Sequence, residues 1–581
     1  MLPYATFALL ATVSWNRWIE PYVDTGRELM VPWRLAQGER LYAEIHFHHG
    51  PLAPYLGAAI DRSAGRCLPA RTGLALGIAL LHLAALRRLL RGLLPAGRAA
   101  LTTAIAVAAA IFLRPGGWLF PFSFDMAIAV AVLTWALVFA TRAQTSRADG
   151  RAGVCLLLAL LARPELAVAG LLLVGLTVLR EPRRLFLLAL FPFTAAAAVY
   201  GIVSAGIPPS DLVADGWLRM IDPPAAYANV YRAYAGLDRI GLRSAELLLA
   251  AIVLAILAAL LVAAAFMASR AGAGSRTVST GVMIAATAVL VALAALRLRP
   301  PTSLAETVSL FPPLPRVIPI SLAAAAVLRL LVRLGGRQPR GPLGGVPDAV
   351  VWMAALFGSR IFLAAGYVGP YDAYFLPLPL TVAITGLYAL ADRAAPAVGA
   401  ALPRLTSAAL AVFLTFRVAA IADLYRRGAW SHVVTPAGGL WLPEPEGVTT
   451  RQALADLQNH FPAHSTLTGF PEGGFFNYVL GRRNPFWLDQ FFPGHLDGAG
   501  EARAVALFDD RPPDVILYAN VLAVGEGSRV FGRDYLARLD EEVRSRSRVV
   551  SIHGPGARPG ARIGDPDFFV EIRVPIEPAA R

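Results

Sequence analysis

Lysine is absent from this chain: all 53 of its basic residues are arginine. We read that as codon usage in a GC-rich genome rather than as chemistry. Charge of either sign is scarce, at 16% of 581 residues, against 56% hydrophobic residues and a mean hydropathy of +0.56. A soluble protein of this length carries more charge, so the apolar excess must face lipid. The only two cysteines, Cys67 and Cys155, fall at opposite ends of expected spans, which excludes a disulfide framework. The sequence has no Gly-rich phosphate loop, no nucleotide-binding fingerprint and no internal repeat. Its net charge of +14 is scattered over short turns between apolar runs. That pattern orients a membrane protein and does not make a nucleic-acid patch. The opening stretch lacks a basic n-region and an A-x-A-like cleavage site, so residues 3–15 are expected to remain as a short first span.

What the chain does have is apolar runs of helical length. They predict a polytopic α-helical membrane protein with about thirteen transmembrane helices. The cores fall at 2–16, 70–90, 99–113, 125–141, 152–163, 165–179, 185–205, 246–268, 278–296, 316–333, 347–366, 374–391 and 405–422. Arg87, Arg88, Arg91 and Arg98 follow span two, Arg142, Arg147 and Arg151 follow span four, and Arg180, Arg183 and Arg184 follow span six. Together with Arg329, Arg333, Arg337 and Arg340 they alternate toward one cytoplasmic side, against Arg297, Arg299 and Arg316 on the other. Residues 1–423 are thus expected to form the membrane domain. Its first outer loop, 17–66, carries interfacial helices at 28–37 and 52–60, and a second outer loop runs over 207–244. Residues 424–581 read as a small C-terminal α/β extracytoplasmic domain. Helical patterns at 450–460, 501–510 and 534–546 alternate there with strand-like 465–470, 515–518, 549–553 and 568–574.

One constellation stands out. Asp24 lies just after the first apolar run, with Arg27 three residues on and Glu28 beside it, so a helix would put all three on one face. The plain alternative is that Asp24 caps a helix beginning near Thr25. The block Asp24-Thr-Gly-Arg27-Glu28-Leu, Pro32-Trp-Arg34, Tyr42 and His49-Gly50-Pro51-Leu52 resembles the first outer loop of bacterial GT-C glycosyltransferases. That superfamily includes the protein O-mannosyltransferases, the lipid A aminoarabinose transferase and the Rgt-type lipopolysaccharide sugar transferases. The resemblance continues through Phe120–Asp125, Arg163-Pro164-Glu165, Arg360 with Gly369-Pro-Tyr371, and the tail at Phe470–Tyr478, Pro512–Asp514 and Phe531–Tyr535. It looks like a largely uncharacterised branch.

The resemblance implies a multi-pass protein of the bacterial cytoplasmic (inner) membrane, transferring a hexosyl or pentosyl group outside it. The partners would be a polyprenyl-phosphate sugar donor, an envelope lipid, glycan or protein acceptor, and membrane lipids, with no nucleic acid. It puts Asp24 at the position of the base and Arg27 at the arginine of a D-x-x-R motif. Many relatives carry a second acid directly after that aspartate; here Thr25 takes its place. The chemistry suits a single carboxylate. The leaving group is already a stable phosphate anion, so no general acid is essential, and Arg27 or Arg34 supplies a guanidinium fork for it.

Other candidates carry open alternatives. Arg163 and Glu165 interrupt an apolar stretch and are either substrate contacts or an internal ion pair around Pro164. Arg360 either meets the donor phosphate or snorkels and pairs with Asp372. Asp125 reads as a cap. His46, His48 and His49 with Glu44 match no familiar ligand spacing, so no cofactor is assigned; a divalent cation is the one candidate, and His49 is expected instead on a sugar hydroxyl. Asp211, Asp215, Trp217, Tyr231, Tyr234 and Asp238 give the second outer loop a carbohydrate-like mix, which interface anchoring explains equally well. Glu472, Asn477 and Asp489 are expected to be structural rather than to face an acceptor. A flippase of lipid-linked sugars would instead place charges along the midplane with repeat symmetry, and a scaffold would need far fewer spans.

Overall fold

Hydrophobic runs with little charge become helices because only internal backbone pairing survives in hydrocarbon. The structure, a computed structural model, describes residues 1–220 apart from 23, 113–116, 143–144, 168–169 and 171–181. It then describes 345–363, 371–398, 402–522 and 529–576, with 241, 318, 322, 324–329, 331–332 and 343 between 221 and 344. The expected spans at 246–268 and 278–296 therefore lie outside the described residues, as do nearly all of 165–179 and much of 316–333.

Among the described residues, four helices are long and apolar enough to cross a bilayer: Leu68–Leu90, Phe124–Thr141, Pro182–Val203 and Leu402–Arg427. Leu2–Val13 (α1), Ala96–Ile111 and Asp348–Ser359 are shorter apolar helices. The helix Phe124–Arg142 (α6) is central, its spanning window 78% buried, whereas Pro182–Val203 and Leu402–Arg427 are only 22% and 17% buried. Phe193 and Ile202 point outward at 57% and 75% exposure. Apolar faces of this extent on helices of spanning length suit contact with lipid.

Between α1 and the second long helix, Leu68–Leu90 (α4), run two short helices, Thr25–Ala36 (α2) and Leu52–Ala64 (α3). The expectation of an interfacial helix at 28–37 does not hold. Every residue from Thr25 to Leu35 is buried, because α3 covers one side of α2 and the helix Gly474–Leu480 from the tail covers the other. In α3, Ala53, Gly57 and Asp61 face inward while Tyr55 and Leu56 are exposed.

After Leu402–Arg427 comes a hairpin absent from the sequence reading, Trp430–Thr435 (β1) paired antiparallel with Gly438–Pro443 (β2). A four-stranded sheet follows, built from Leu467–Phe470 (β3), Val515–Ala519 (β4), Ser547–His553 (β5) and Val570–Pro575 (β6), in the order β3-β4-β6-β5. β3 and β4 pair in parallel, with Gly474–Leu480 and Gly498–Asp510 in the connection, as a parallel crossover requires. Both strands are buried throughout. Their inner residues Leu467, Val515 and Leu517 belong to the same continuous apolar core as Leu10, Leu83 and Ala127.

The first loop and the tail are in direct contact, through Glu472 on the Asp24 and Gly26 N–H groups and through the packing of Gly474–Leu480 on α2.

Candidate functional site

Asp24 occupies the position before the first turn of α2, yet its side chain makes no capping bond. Its backbone sits at φ 54°, ψ −30°, a region that L-residues rarely adopt. Two contacts from the tail hold it there. The Asp24 N–H donates to Glu472 Oε2 at 2.8 Å, and the Gly26 N–H donates to Glu472 Oε1 at 3.1 Å. Gln490 Nε2 donates to Asp24 Oδ1 at 2.7 Å and to Glu472 Oε2 at 3.0 Å. Glu472 and Gln490 face each other across a short backbone bridge, which sets their register. The cap alternative is thereby answered: the carboxylate of Asp24 points to Gln490 and to Arg27, whose Nη1 is 3.6 Å away.

Close approach of backbones makes this junction. A Cβ on Gly26 would come within 2.8 Å of the Phe475 nitrogen, and one on Gly474 within 2.9 Å of the Gly26 carbonyl. Larger residues at either position would push α2 and Gly474–Leu480 apart.

Arg27 also donates to Glu28 Oε1 at 3.1 Å and to Gln490 Oε1 at 3.2 Å. Glu28 Oε2 accepts the Phe124 N–H at 3.0 Å and so ties α2 to the start of α6. A second polar cluster adjoins it there. Arg163 stands where helix Ser146–Ala162 (α7) ends, extended because Pro164 follows. Its Nε is 2.6 Å from Asp125, and its terminal nitrogens reach His49 Nδ1 at 2.7 Å, Ser123 Oγ at 2.9 Å and Glu165 at 3.1 Å. Asp125 is therefore an ion-pair partner, fully buried, and not simply a helix cap.

Of the sequence-selected residues, Asp24, Arg27 and Glu28 come together, and His49, Arg163 and Glu165 form the adjoining cluster. Arg34 lies apart. It pairs with Asp489 at 3.1 Å and with Glu39, at the edge of a cavity of about 640 Å³ that Arg483 and Trp487 also line. The side chains of Arg360 and Tyr371 lie outside the described residues, as do Tyr231, Tyr234 and Asp238. Asp215 accepts from His46 at 2.9 Å and from the Trp487 indole at 3.2 Å. Asn477 is structural, donating to the Leu467 and Arg482 carbonyls.

Sequence reasoning ranked Glu472 as structural and did not consider Gln490. An acid within the apolar run Phe470–Tyr478 was the available signal, since a buried carboxylate needs donors; Gln490 offered none.

Burial raises Glu472 to about 8, with the charge of Asp24 adding to the effect. Burial likewise raises Glu28 to about 7, against the pull of Arg27. Burial works against the Arg27 charge, but Asp24, Glu28, Asp125 and Glu472 more than restore it. His46, His48, His49 and His495 are all lowered, first by burial and then, for all but His46, by neighbouring imidazole or guanidinium charge. His46 is lowered despite Asp215, which pulls it up. The signs give a stability profile. The two raised acids stabilise the fold fully below their unfolded values, and that contribution is lost as pH rises through about 7 to 8. The four lowered imidazoles stabilise it above about 6.5, and that contribution is lost on acidification. Four groups outweigh two on the acid side. The apparent Tm of detergent-solubilised protein, followed by intrinsic fluorescence from pH 5 to 9, is expected to peak near 6.5 and fall on both sides.

His46, His48 and His495 crowd with ring centroids 5.8 to 5.9 Å apart. Among the described residues, however, no three His, Cys, Asp or Glu side chains form a group able to hold a metal.

No family model matches the chain, and no curated protein matches it. Solved structures do. ArnT from Cupriavidus metallidurans bound to undecaprenyl phosphate is 13% identical, with 98% of this chain and 96% of that chain covered and a TM-score of 0.45. The archaeal oligosaccharyltransferase AglB from Archaeoglobus fulgidus, in complex with an inhibitory peptide and a dolichol-phosphate, is 14% identical over 89% of this chain and 69% of that one, with a TM-score of 0.42. The Archaeoglobus fulgidus oligosaccharyltransferase in complex with Zn and sulfate is 14% identical over 90% and 68%, with a TM-score of 0.43. The residue roles below rest on the geometry above.

Proposed function

We propose that this chain is an integral-membrane glycosyltransferase. It moves a sugar from a polyprenyl-phosphate donor to an acceptor on the extracytoplasmic face, by an inverting displacement with Asp24 as base. One observation supports this most directly. Asp24 is the acid of its cluster that solvent reaches, with a side chain 23% exposed, whereas Glu28 is 4% exposed and Glu472 fully buried. A base must touch the incoming hydroxyl, and of these three acids Asp24 is the one that solvent reaches.

The electron flow is simple. The acceptor oxygen attacks the anomeric carbon, the bond from that carbon to the phosphate oxygen breaks, and its electron pair leaves on the phosphate. The acceptor proton passes to Asp24 and then to water. Burial raises Glu28 and Glu472, which lessens the negative charge beside Arg27 and suits an anionic donor.

The test uses purified protein in liposomes with a radiolabelled polyprenyl-phosphate sugar on the side of the tail and an envelope extract as acceptor. The expected result is release of free polyprenyl phosphate with label on the acceptor and inverted anomeric configuration. Movement of intact donor across the bilayer without release would point to the flippase reading and overturn this one.

A further inference from the structure

An aspartate directly before a helix ordinarily turns its carboxylate back to accept the N–H of the second or third helical residue. In α2 the second residue is Gly26, and its N–H is already taken by Glu472, from a segment 446 residues away. Glu472 also accepts the N–H of Asp24 itself. We propose that Glu472 caps α2 in place of Asp24 and so releases the Asp24 carboxylate to act as a base, with Gln490 aiming it. Glu472 and Gln490 are positioning residues: each acts through Asp24.

The geometry accounts for several features together. Asp24 makes no capping bond although it holds the capping position. Its left-handed backbone is compatible with the external cap, since its own N–H and that of Gly26 both point at one carboxylate. Gly26 and Gly474 are small where the two backbones must approach for Glu472 to reach. Gln490 spends one amide on both carboxylates and its oxygen on Arg27, so the base, the cap and the cation are fixed by a single side chain. The raised Glu472 follows from placing this cap, buried, beside a second acid. It also follows that the tail is part of the site and not an appended binding module.

This inference rests on the reading of Asp24 as base, and the experiment separates the two. Glu472→Ala is expected to lower the transfer rate at least a hundredfold, with the donor KM within a few-fold of wild type. Glu472→Gln keeps one acceptor oxygen and should recover part of the loss. If Glu472 acts through Asp24, adding Glu472→Ala to Asp24→Asn costs nothing further. Independently of turnover, hydrogen exchange in the peptide spanning 24–30 should accelerate in Glu472→Ala in the intact reconstituted protein, and return toward wild type in Glu472→Gln. Wild-type transfer in Glu472→Ala, wild-type exchange in that peptide, or a fully additive double variant would each overturn the proposal. Slow transfer from Asp24→Asn with accelerated exchange in Glu472→Ala supports both readings; normal transfer from Asp24→Asn with accelerated exchange leaves the cap standing and removes the base.

Discussion

Asp24→Asn is expected to reduce kcat for sugar transfer by about 10²- to 10⁴-fold, the range lost with a general base. The donor KM should change little, because Arg27 keeps Glu28 and Gln490 as partners and loses only the 3.6 Å contact to Asp24. Folding should also be nearly unaffected. The Asn side chain is isosteric, the backbone N–H groups remain on Glu472, and the new amide can present its Oδ1 to the Gln490 Nε2 as Asp24 does. The variant therefore isolates the proton-accepting role from the architecture, which Asp24→Ala would not. Stopped-time assays in liposomes with matched protein and measured Tm are the check. An Asp24→Asn protein that transfers at the wild-type rate would remove Asp24 from the chemistry and with it the proposed mechanism.

What the sequence made legible was local. Strands expected at 515–518 and 549–553 appear as Val515–Ala519 and Ser547–His553, and the helix expected at 501–510 as Gly498–Asp510. Length and alternation within a dozen residues decide such elements. The first-loop motif was legible for the same reason, since Asp24, Arg27 and Glu28 are neighbours in the chain. What escaped was set by distant partners. Arg27, Glu28 and Arg34 made α2 look amphipathic, fit for an interface, because their partners Gln490, Phe124 and Asp489 are 96 to 463 residues away. No periodicity reports that a helix with three charges will be enclosed on every side. The direction of the Asp24 side chain was invisible too, since it depends on Glu472 taking its capping bond. Asp125 looked like a cap for the converse reason: its arginine, Arg163, lies on another helix.

The largest expected loss of stability comes from Arg71, in the first turns of α4. Its Nη2 is 2.6 Å from Asp61 Oδ2, and both side chains are 1% exposed. The guanidinium can lie there because α3 presents Gly57, where a Cβ would come within 2.0 Å of Arg71 Nη1. The other oxygen of Asp61 accepts the Tyr478 hydroxyl at 3.0 Å, and that hydroxyl in turn accepts the Cys67 N–H at 3.1 Å. One network thus ties α3, α4 and the tail helix Gly474–Leu480. Arg71→Met keeps an unbranched apolar stem and removes the guanidinium, leaving the Asp61 carboxylate buried with a single neutral donor, the Tyr478 hydroxyl. Breaking a buried pair in this way costs about 3–5 kcal/mol, more than the pair itself is worth against apolar packing. The apparent Tm should fall steeply, and Asp61→Leu in the same chain should restore most of it, since an apolar pair leaves no stranded charge. Because Tyr478 and Gly474 share one short helix, loosening at Asp61 should reach the Gly26 contact and weaken transfer along with stability. A single Arg71→Met variant that melts with wild type, or a double variant no better than the single, would show that this pair does not dock the tail.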